Sequence, residues 1–251
     1  MSDVLYMHRL VLSHPLALHR YARELRMPDH PFDPGYVLHC LLAGLFGQNA
    51  PKPFVWDPKT PNEAVLAYDS SNLEMLKQHA ETFATPDAFE LVDWRRCASK
   101  PMHVIWHTGT ALGFRVRACP LVRGPAKLRA DSGDGAGHRS PEVDAYQAYV
   151  WRTGNADAGR ETVYTDWLAR ELARDEAAEL QAVAMRGFRL SRSLRRTHGE
   201  TRKGHALTRP DVLLEGTLRV GKPEAFGSLL ARGVGRHRAF GYGMLLLRPV
   251  A

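Results

Sequence analysis

Two short segments carry the residue types that acid–base chemistry at an anion would use. The first is Tyr36-Val37-Leu38-His39, within the run from Pro34 to Phe46. At about 100° per residue, Val37, Leu38, Leu41, Leu42 and Leu45 form one apolar arc, with Tyr36, His39, Cys40 and Ala43 opposite. Tyr36 and His39 then stand one turn apart, about 5–6 Å between Cβ atoms, facing away from the core. A histidine near its ordinary pKa of about 6.5 both takes and gives a proton, and a phenol beside it orients or deprotonates a hydroxyl. The plain alternative is an ordinary surface pair.

The second segment is the glycine-rich loop from Gly233 to Gly243, with Gly233, Gly235, Gly241 and Gly243 as the glycines. Glycine lets a backbone approach a ligand closely, and Arg236, His237 and Arg238 between them would add charge to an anion cradle. No Lys-Ser/Thr follows, so it is not a Walker loop. The glycines follow a predicted helix rather than a strand, so it is not a dinucleotide fingerprint either. The alternative is a helix-to-strand turn that needs glycine for its geometry. A mononucleotide-binding enzyme built on this loop is a third, weaker reading.

Charge adds a third feature. The chain has 251 residues and a formal net charge of +7. Eight basic residues fall between Arg186 and Arg209 (Arg186, Arg189, Arg192, Arg195, Arg196, Arg202, Lys203 and Arg209), with Glu200 the one acid. That strip alone accounts for the net charge, and the remainder balances. A neutral body with one basic strip points to a polyanion such as nucleic acid, against the bland reading of a solvated face. The apolar fraction of 44% and charged fraction of 24% suit a packed globular chain. No apolar run is long enough for a membrane span, and no secretion signal is read at the N-terminus. Cys40, Cys97 and Cys119 are scattered, which suits a reducing cytoplasm and gives no zinc spacing. His103 and His107 share a strand face but lack a third ligand, so no metal site is expected. Cys40 and His39, adjacent on a helix, do not face each other.

The elements that must position these residues read in a definite order. A strand over 4–12 precedes a short helix over 16–25. A helix over 34–46 is capped by Asp33, opened by Pro34 and stopped by Gly47. Strands near 54–56 and 63–68, a helix over 72–83, and strands near 103–107 and 114–118 complete a ferredoxin-like order. Beyond a Gly/Asp/Ala-rich stretch at 124–139, helices are predicted over 141–151 and 161–180. Residues 186–196 fit a helix or a strand; the strand, entering a hairpin, is preferred because Gly187 and the serines weaken a helix. An alternating strand over 214–220, a helix over 223–232 and a buried strand over 244–247 close the chain. The fold class is α+β, two tandem ferredoxin-like (RRM-like) βαββαβ halves over 1–120 and 121–251. The second carries a helical, basic insertion over about 124–209.

These segments in order resemble a known family. Glu215-Gly216-Thr217-Leu218, Gly233-Val234-Gly235 and Ala239-Phe240-Gly241-Tyr242-Gly243-Met244-Leu245-Leu246 are similar to the signature of the RAMP superfamily, in particular the CasE-like branch of CRISPR repeat-processing endoribonucleases. Phe114-Arg115-Val116-Arg117-Ala118-Cys119-Pro120 resembles the mid-chain strand of that branch, with Cys119 where the family carries Asn. Tyr36-Val37-Leu38-His39 falls where the family carries Tyr-x-x-His. The stretch from Gly124 to Arg209 matches weakly. The subtype, type I-E or a divergent type IV relative, stays open.

The resemblance implies cleavage of CRISPR precursor RNA at the base of a repeat stem-loop, without metal or cofactor. The ribose 2′-hydroxyl attacks the adjacent phosphate, leaving a 2′,3′-cyclic phosphate. His39 and Tyr36 would be catalytic, in an order the sequence leaves open. Arg23, Arg189, Arg192, Arg195, Arg196, Arg202, Lys203, Arg236, His237 and Arg238 would contact RNA. It also implies a cytoplasmic protein that stays on the mature crRNA among the other subunits of an effector complex. The competing reading is a non-catalytic RNA-binding subunit of the same superfamily.

Overall fold

In the computed structural model, the described residues are 4–27, 32–56, 64–102, 106–124, 142–196 and 204–250, with backbone alone at 193–196 and 204–207. Two four-stranded antiparallel sheets organise them. The first half runs β1 (Tyr6–Val11), α1 (Ala17–Glu24), α2 (Pro34–Phe46), β2 (Phe54–Trp56), β3 (Ala64–Asp69), α3 (Leu73–Phe83), α4 (Pro86–Glu90) and β4 (Ala98–Pro101). The second runs β5 (Ala111–Ala118), β6 (Leu121–Arg123), β7 (Glu142–Asp144), α5 (Ala145–Thr153), α6 (Arg160–Leu172), β8 (Ala178–Arg196), β9 (Gly204–Val220), α7 (Pro223–Arg232) and β10 (Leu245–Pro249). The strand orders are β2-β3-β1-β4 and β10-β5-β9-β8. Both are the order of a βαββαβ unit, so the tandem ferredoxin-like architecture is the observed one.

The strand expected to end the first half instead begins the second. β5 pairs with β9 and β10, because Phe114, Val116 and Ala118 turn into the core that holds Val212, Leu214 and Leu218. The edge strand of the first sheet is β4, at Ala98–Pro101 rather than near 103–107; residues 103–105 lie outside the described residues. A sequence division at residue 120 therefore leaves β5 on the wrong side of the sheet pairing. The expected insertion over 124–209 also shrinks. α6 and the strands β8 and β9 belong to the ferredoxin unit itself, and the addition is β6, β7 and α5.

The helix expected over 161–180 stops at Leu172. Asp175 and Glu176 both take φ of 58°, which no helix continues through, and β8 starts at Ala178. The preferred strand reading of 186–196 holds: β8 pairs with β9 from Ala178↔Val220 to Arg196↔Gly204.

Each half packs its own core, around Leu38, Leu41 and Leu45 in the first and Tyr164, Leu168 and Leu230 in the second. They are joined where buried Tyr68 of β3 reaches across and donates to the Leu245 carbonyl at 2.9 Å. α2 forms as its sequence dictates. The Asp33 carboxylate accepts from the Tyr36 N–H at 3.1 Å, Pro34 occupies the first turn, and Gly47 stops the helix.

Candidate active site

The buried arc of α2 is the expected one, Val37, Leu38, Leu41, Leu42 and Leu45. Tyr36 and His39 lie opposite it, with ring centroids 6.3 Å apart. They do not face open solvent as the helical wheel implies; both are half-buried. What covers them is the glycine-rich loop, more than 190 residues later. Phe240 stacks on Tyr36 with centroids 6.2 Å apart and planes 6° from parallel, and meets His39 at 4.7 Å. The approach depends on Gly35, where a Cβ would stand 2.5 Å from the Phe240 carbonyl oxygen.

This setting tunes the imidazole. Burial lowers the His39 pKa below the ordinary 6.5 and the Lys52 charge lowers it further, while a hydrogen bond with the Ala239 backbone opposes both. The neutral ring therefore predominates at neutral pH. A neutral imidazole carries one nitrogen that can accept a proton. Lys52, exposed between Pro51 and Pro53, lies with Ala239 and Phe240 on the wall of a cleft of about 900 Å³. Apart from Lys52 its lining comes from the second half and includes six arginines, among them Arg123, Arg174 and Arg238, against two acids, Glu142 and Glu171.

The glycine loop does not form an open anion cradle. Glu142 of β7 already fills the place of an anion: Arg236 donates to it at 3.1 Å, Arg209 at 3.2 Å, and the His237 ring lies 2.8 Å away. Arg209 also contacts the His237 ring, and Arg238 donates to the Arg232 carbonyl. The glycines serve geometry and packing instead. Gly233, Gly235, Gly241 and Gly243 all have positive φ. A Cβ at Gly235 would stand 2.6 Å from the Trp167 ring, and one at Gly243 2.3 Å from the Val234 carbonyl oxygen. The Val234 N–H donates to the Gly243 carbonyl and the Gly243 N–H to the Arg117 carbonyl, pinning the loop that carries Phe240.

The basic strip lies on the β8–β9 hairpin, partly neutralised by acids just outside it. Arg189 pairs with Asp211 at 2.7 Å and Arg186 with Glu215 at 3.6 Å. Arg209 is buried. Arg192 is exposed; Arg195 and Arg196 sit at the end of β8, and Arg202 and Lys203 lie outside the described residues. Asp211 also receives a two-pronged bond from Arg117, both distances 2.8 Å. Burial alone would raise the Asp211 pKa, but its bonds to Arg117 and Arg189 hold it below the ordinary carboxylate value. Arg117 in turn lies 4.8 Å from the Tyr242 ring centroid, and Ser191 of β8 is 3.3 Å from the Tyr242 hydroxyl. The strip thus connects physically to the glycine loop.

Arg23 is exposed on the last turn of α1, which packs on α2 where the Tyr21 hydroxyl reaches the Cys40 carbonyl. Burial pushes the Cys119 thiol up to about 12, which keeps it an inert thiol. Among the described residues no three His, Cys, Asp or Glu side chains converge as a metal site. Sequence reading missed Lys52 and the part Phe240 plays. A lone lysine between prolines carries no signal, and Phe240 entered only as a residue of a signature.

A family model described as "CRISPR associated protein" matches residues 5–249. No curated protein matches the chain. Among solved structures, the chain is similar to a CRISPR endoribonuclease Cse3 bound to a 19-nt RNA, at 21% identity and a TM-score of 0.60, over 97% of this chain and 100% of that one. It is also similar to the CRISPR-associated protein Cas6e of Escherichia coli K-12, at 20% identity and a TM-score of 0.55, over 98% of this chain and 100% of that one. A chain of a CRISPR RNA-guided surveillance complex in a pre-nicking state matches at 15% identity and a TM-score of 0.56, over 98% of this chain and 100% of that one. Likeness at these identities speaks to the fold, and it is the fold of the two sheets described above.

Proposed function

The chain belongs to the family of CRISPR associated proteins, and from that premise we propose that it is a metal-independent endoribonuclease that cuts CRISPR precursor RNA within the repeat, at the base of a stem-loop. The observation that carries this reading is the half-buried His39–Tyr36 pair beside Lys52 at the edge of an arginine-lined cleft. In this reaction the neutral His39 ring takes the proton of the ribose 2′-hydroxyl, which the Tyr36 hydroxyl orients. The 2′-oxygen then bonds to phosphorus as the P–O5′ bond breaks. Lys52 supplies charge against the phosphorane oxygens and an N–H for the departing 5′-oxygen. The products are a 2′,3′-cyclic phosphate and a 5′-hydroxyl. The basic hairpin, with Arg192 exposed, suits the phosphates of an RNA stem. The protein then stays on the mature crRNA beside other subunits of an effector complex, as its likeness to a surveillance-complex chain supports. Among the described residues no helix is long and apolar enough to cross a membrane, and no membrane partner is proposed.

The test is cleavage of repeat RNA in EDTA, with ribose or 2′-deoxyribose at the scissile nucleotide. Cleavage of the first and not of the second is expected. Tight binding without a cut would instead mean a non-catalytic RNA-binding subunit.

A pH dependence follows from the lowered His39 pKa. A base must be neutral to act, so the rate should fall as pH drops through a value below about 6.5 and stay level above it. Lys52→Met removes one of the two causes of the lowering, so the acid limb should move to higher pH. Single-turnover rates across the acid range check this; a limb that stays put or moves to lower pH contradicts the assignment.

A further inference from the structure

The cleft walled by Lys52 and Phe240 extends away from the catalytic pair. Arg123 and Arg170 line it, and they also line a second depression of about 860 Å³ between α5 and α6. Ala145, Ala148, Val163 and Ala169 give that depression a low, apolar floor. Tyr149 and Trp151 are the aromatic residues that line it. Trp151 is 51% exposed, and the Arg152 guanidinium lies 6.0 Å from the Tyr149 ring centroid. Three arginines face one acid, Asp166, among the lining residues. Among the described residues no carboxylate pairs with Arg123 or Arg152, and Arg170 donates to the Asp166 backbone carbonyl at 3.2 Å. An indole left half in water on a helix, at a depression that three arginines line, is not explained by packing.

Aromatic faces beside cationic side chains are how proteins hold unpaired nucleotides: bases stack, and phosphates meet the charges. A duplex cannot use such a platform, because its bases are already stacked on each other. We propose that the α5–α6 depression is a subsite for the unpaired RNA that adjoins the scissile phosphate, with one base stacked on Trp151 and the flanking phosphates on Arg123, Arg152 and Arg170. The subsite rests on the endoribonuclease reading above, and it accounts for the α5 addition to the ferredoxin unit. It also gives the enzyme a second grip, which favours a hairpin embedded in longer RNA over a bare hairpin.

The test uses the full chain and a hairpin RNA with 2′-deoxyribose at the scissile nucleotide. The bare hairpin ends one nucleotide beyond the scissile phosphate, and the extended RNAs carry about eight further unpaired nucleotides, a typical single-strand site length, on the 5′ or the 3′ side. One extended RNA should bind about tenfold more tightly than the bare hairpin, the usual worth of a stacked base. Trp151→Ala should abolish that gain without changing affinity for, or cleavage of, the all-ribose bare hairpin. The double variant Arg123→Ala/Arg152→Ala should abolish it too and flatten its salt dependence. If neither extension adds affinity, or Trp151→Ala keeps the gain, the subsite is refuted. If Trp151→Ala keeps the gain but loses assembly with effector subunits, the face is a protein interface and the proposal is equally refuted. A wild-type chain that neither binds nor cuts the bare all-ribose hairpin would refute the endoribonuclease reading itself, whereas cutting with no effect of the extensions refutes the subsite alone.

Discussion

His39→Ala should lower the single-turnover rate of repeat cleavage by about 10²- to 10⁴-fold, the usual contribution of a positioned general base. Affinity for the hairpin should change little, because the basic β8–β9 hairpin proposed to hold the RNA stem is untouched. The contrast between the two readouts matters. His39 packs on Phe240 with centroids 4.7 Å apart, so alanine leaves a gap beneath the loop. A variant that merely loosened the loop would weaken binding along with rate, whereas loss of a base lowers rate alone. Tyr36→Phe keeps the ring that stacks on Phe240 and removes only the hydroxyl, so its rate should lie between those of wild type and His39→Ala. Equal rates for His39→Ala and wild type at saturating RNA would remove the imidazole from the chemistry.

Gly243→Ala should destabilise the fold by about 2–5 kcal/mol and cost activity with it. The residue has φ of 81°, and an added Cβ would stand 2.3 Å from the Val234 carbonyl oxygen. Left-handed backbone costs an alanine about 1–2 kcal/mol, and forced overpacking about 1–3 more. The obstruction is backbone, which cannot swing aside as a side chain would. Gly227→Ala is the matching control. It sits within α7, a Cβ there meets nothing within 4 Å, and alanine should stabilise that helix by about 0.5–1 kcal/mol. Denaturant melts of the two variants should therefore move in opposite directions. A neutral Gly243→Ala would mean that the loop is not held as described.

The contrast between these sites shows what a sequence carries. α2 was legible to the residue because its determinants are local: a cap at Asp33, a proline at the first turn, a five-residue apolar arc and a glycine stop. The strands β2 and β3, the helix α7 and the 214–220 part of β9 were legible for the same reason. Nothing local says that Phe240 lies on Tyr36 and His39. That contact joins two halves of the fold, and it turned an exposed pair into a half-buried one with a tuned imidazole. The charge strip misled in a related way. Summing charges along the chain counted Arg189 and Arg209 into a net positive strip, but their partners Asp211 and Glu142 lie outside the stretch that was summed. β5 was misplaced because an apolar strand does not state which sheet it joins. That choice was made by β9, whose Leu214 and Leu218 share its face of the second core.

The whole mechanism depends on His39 and Tyr36 together meeting the bond that breaks. The decisive measurement is a structure of the full chain bound to repeat RNA with 2′-deoxyribose at the scissile nucleotide. The scissile ribose should place its C2′ edge against the His39 ring and the Tyr36 hydroxyl. A 2′-oxygen restored to that ribose would then fall within about 2.6–3.2 Å of the imidazole nitrogen, with Lys52 facing the phosphate. A scissile phosphate seated elsewhere, with both rings still packed under Phe240 and touching no RNA, would overturn the mechanism.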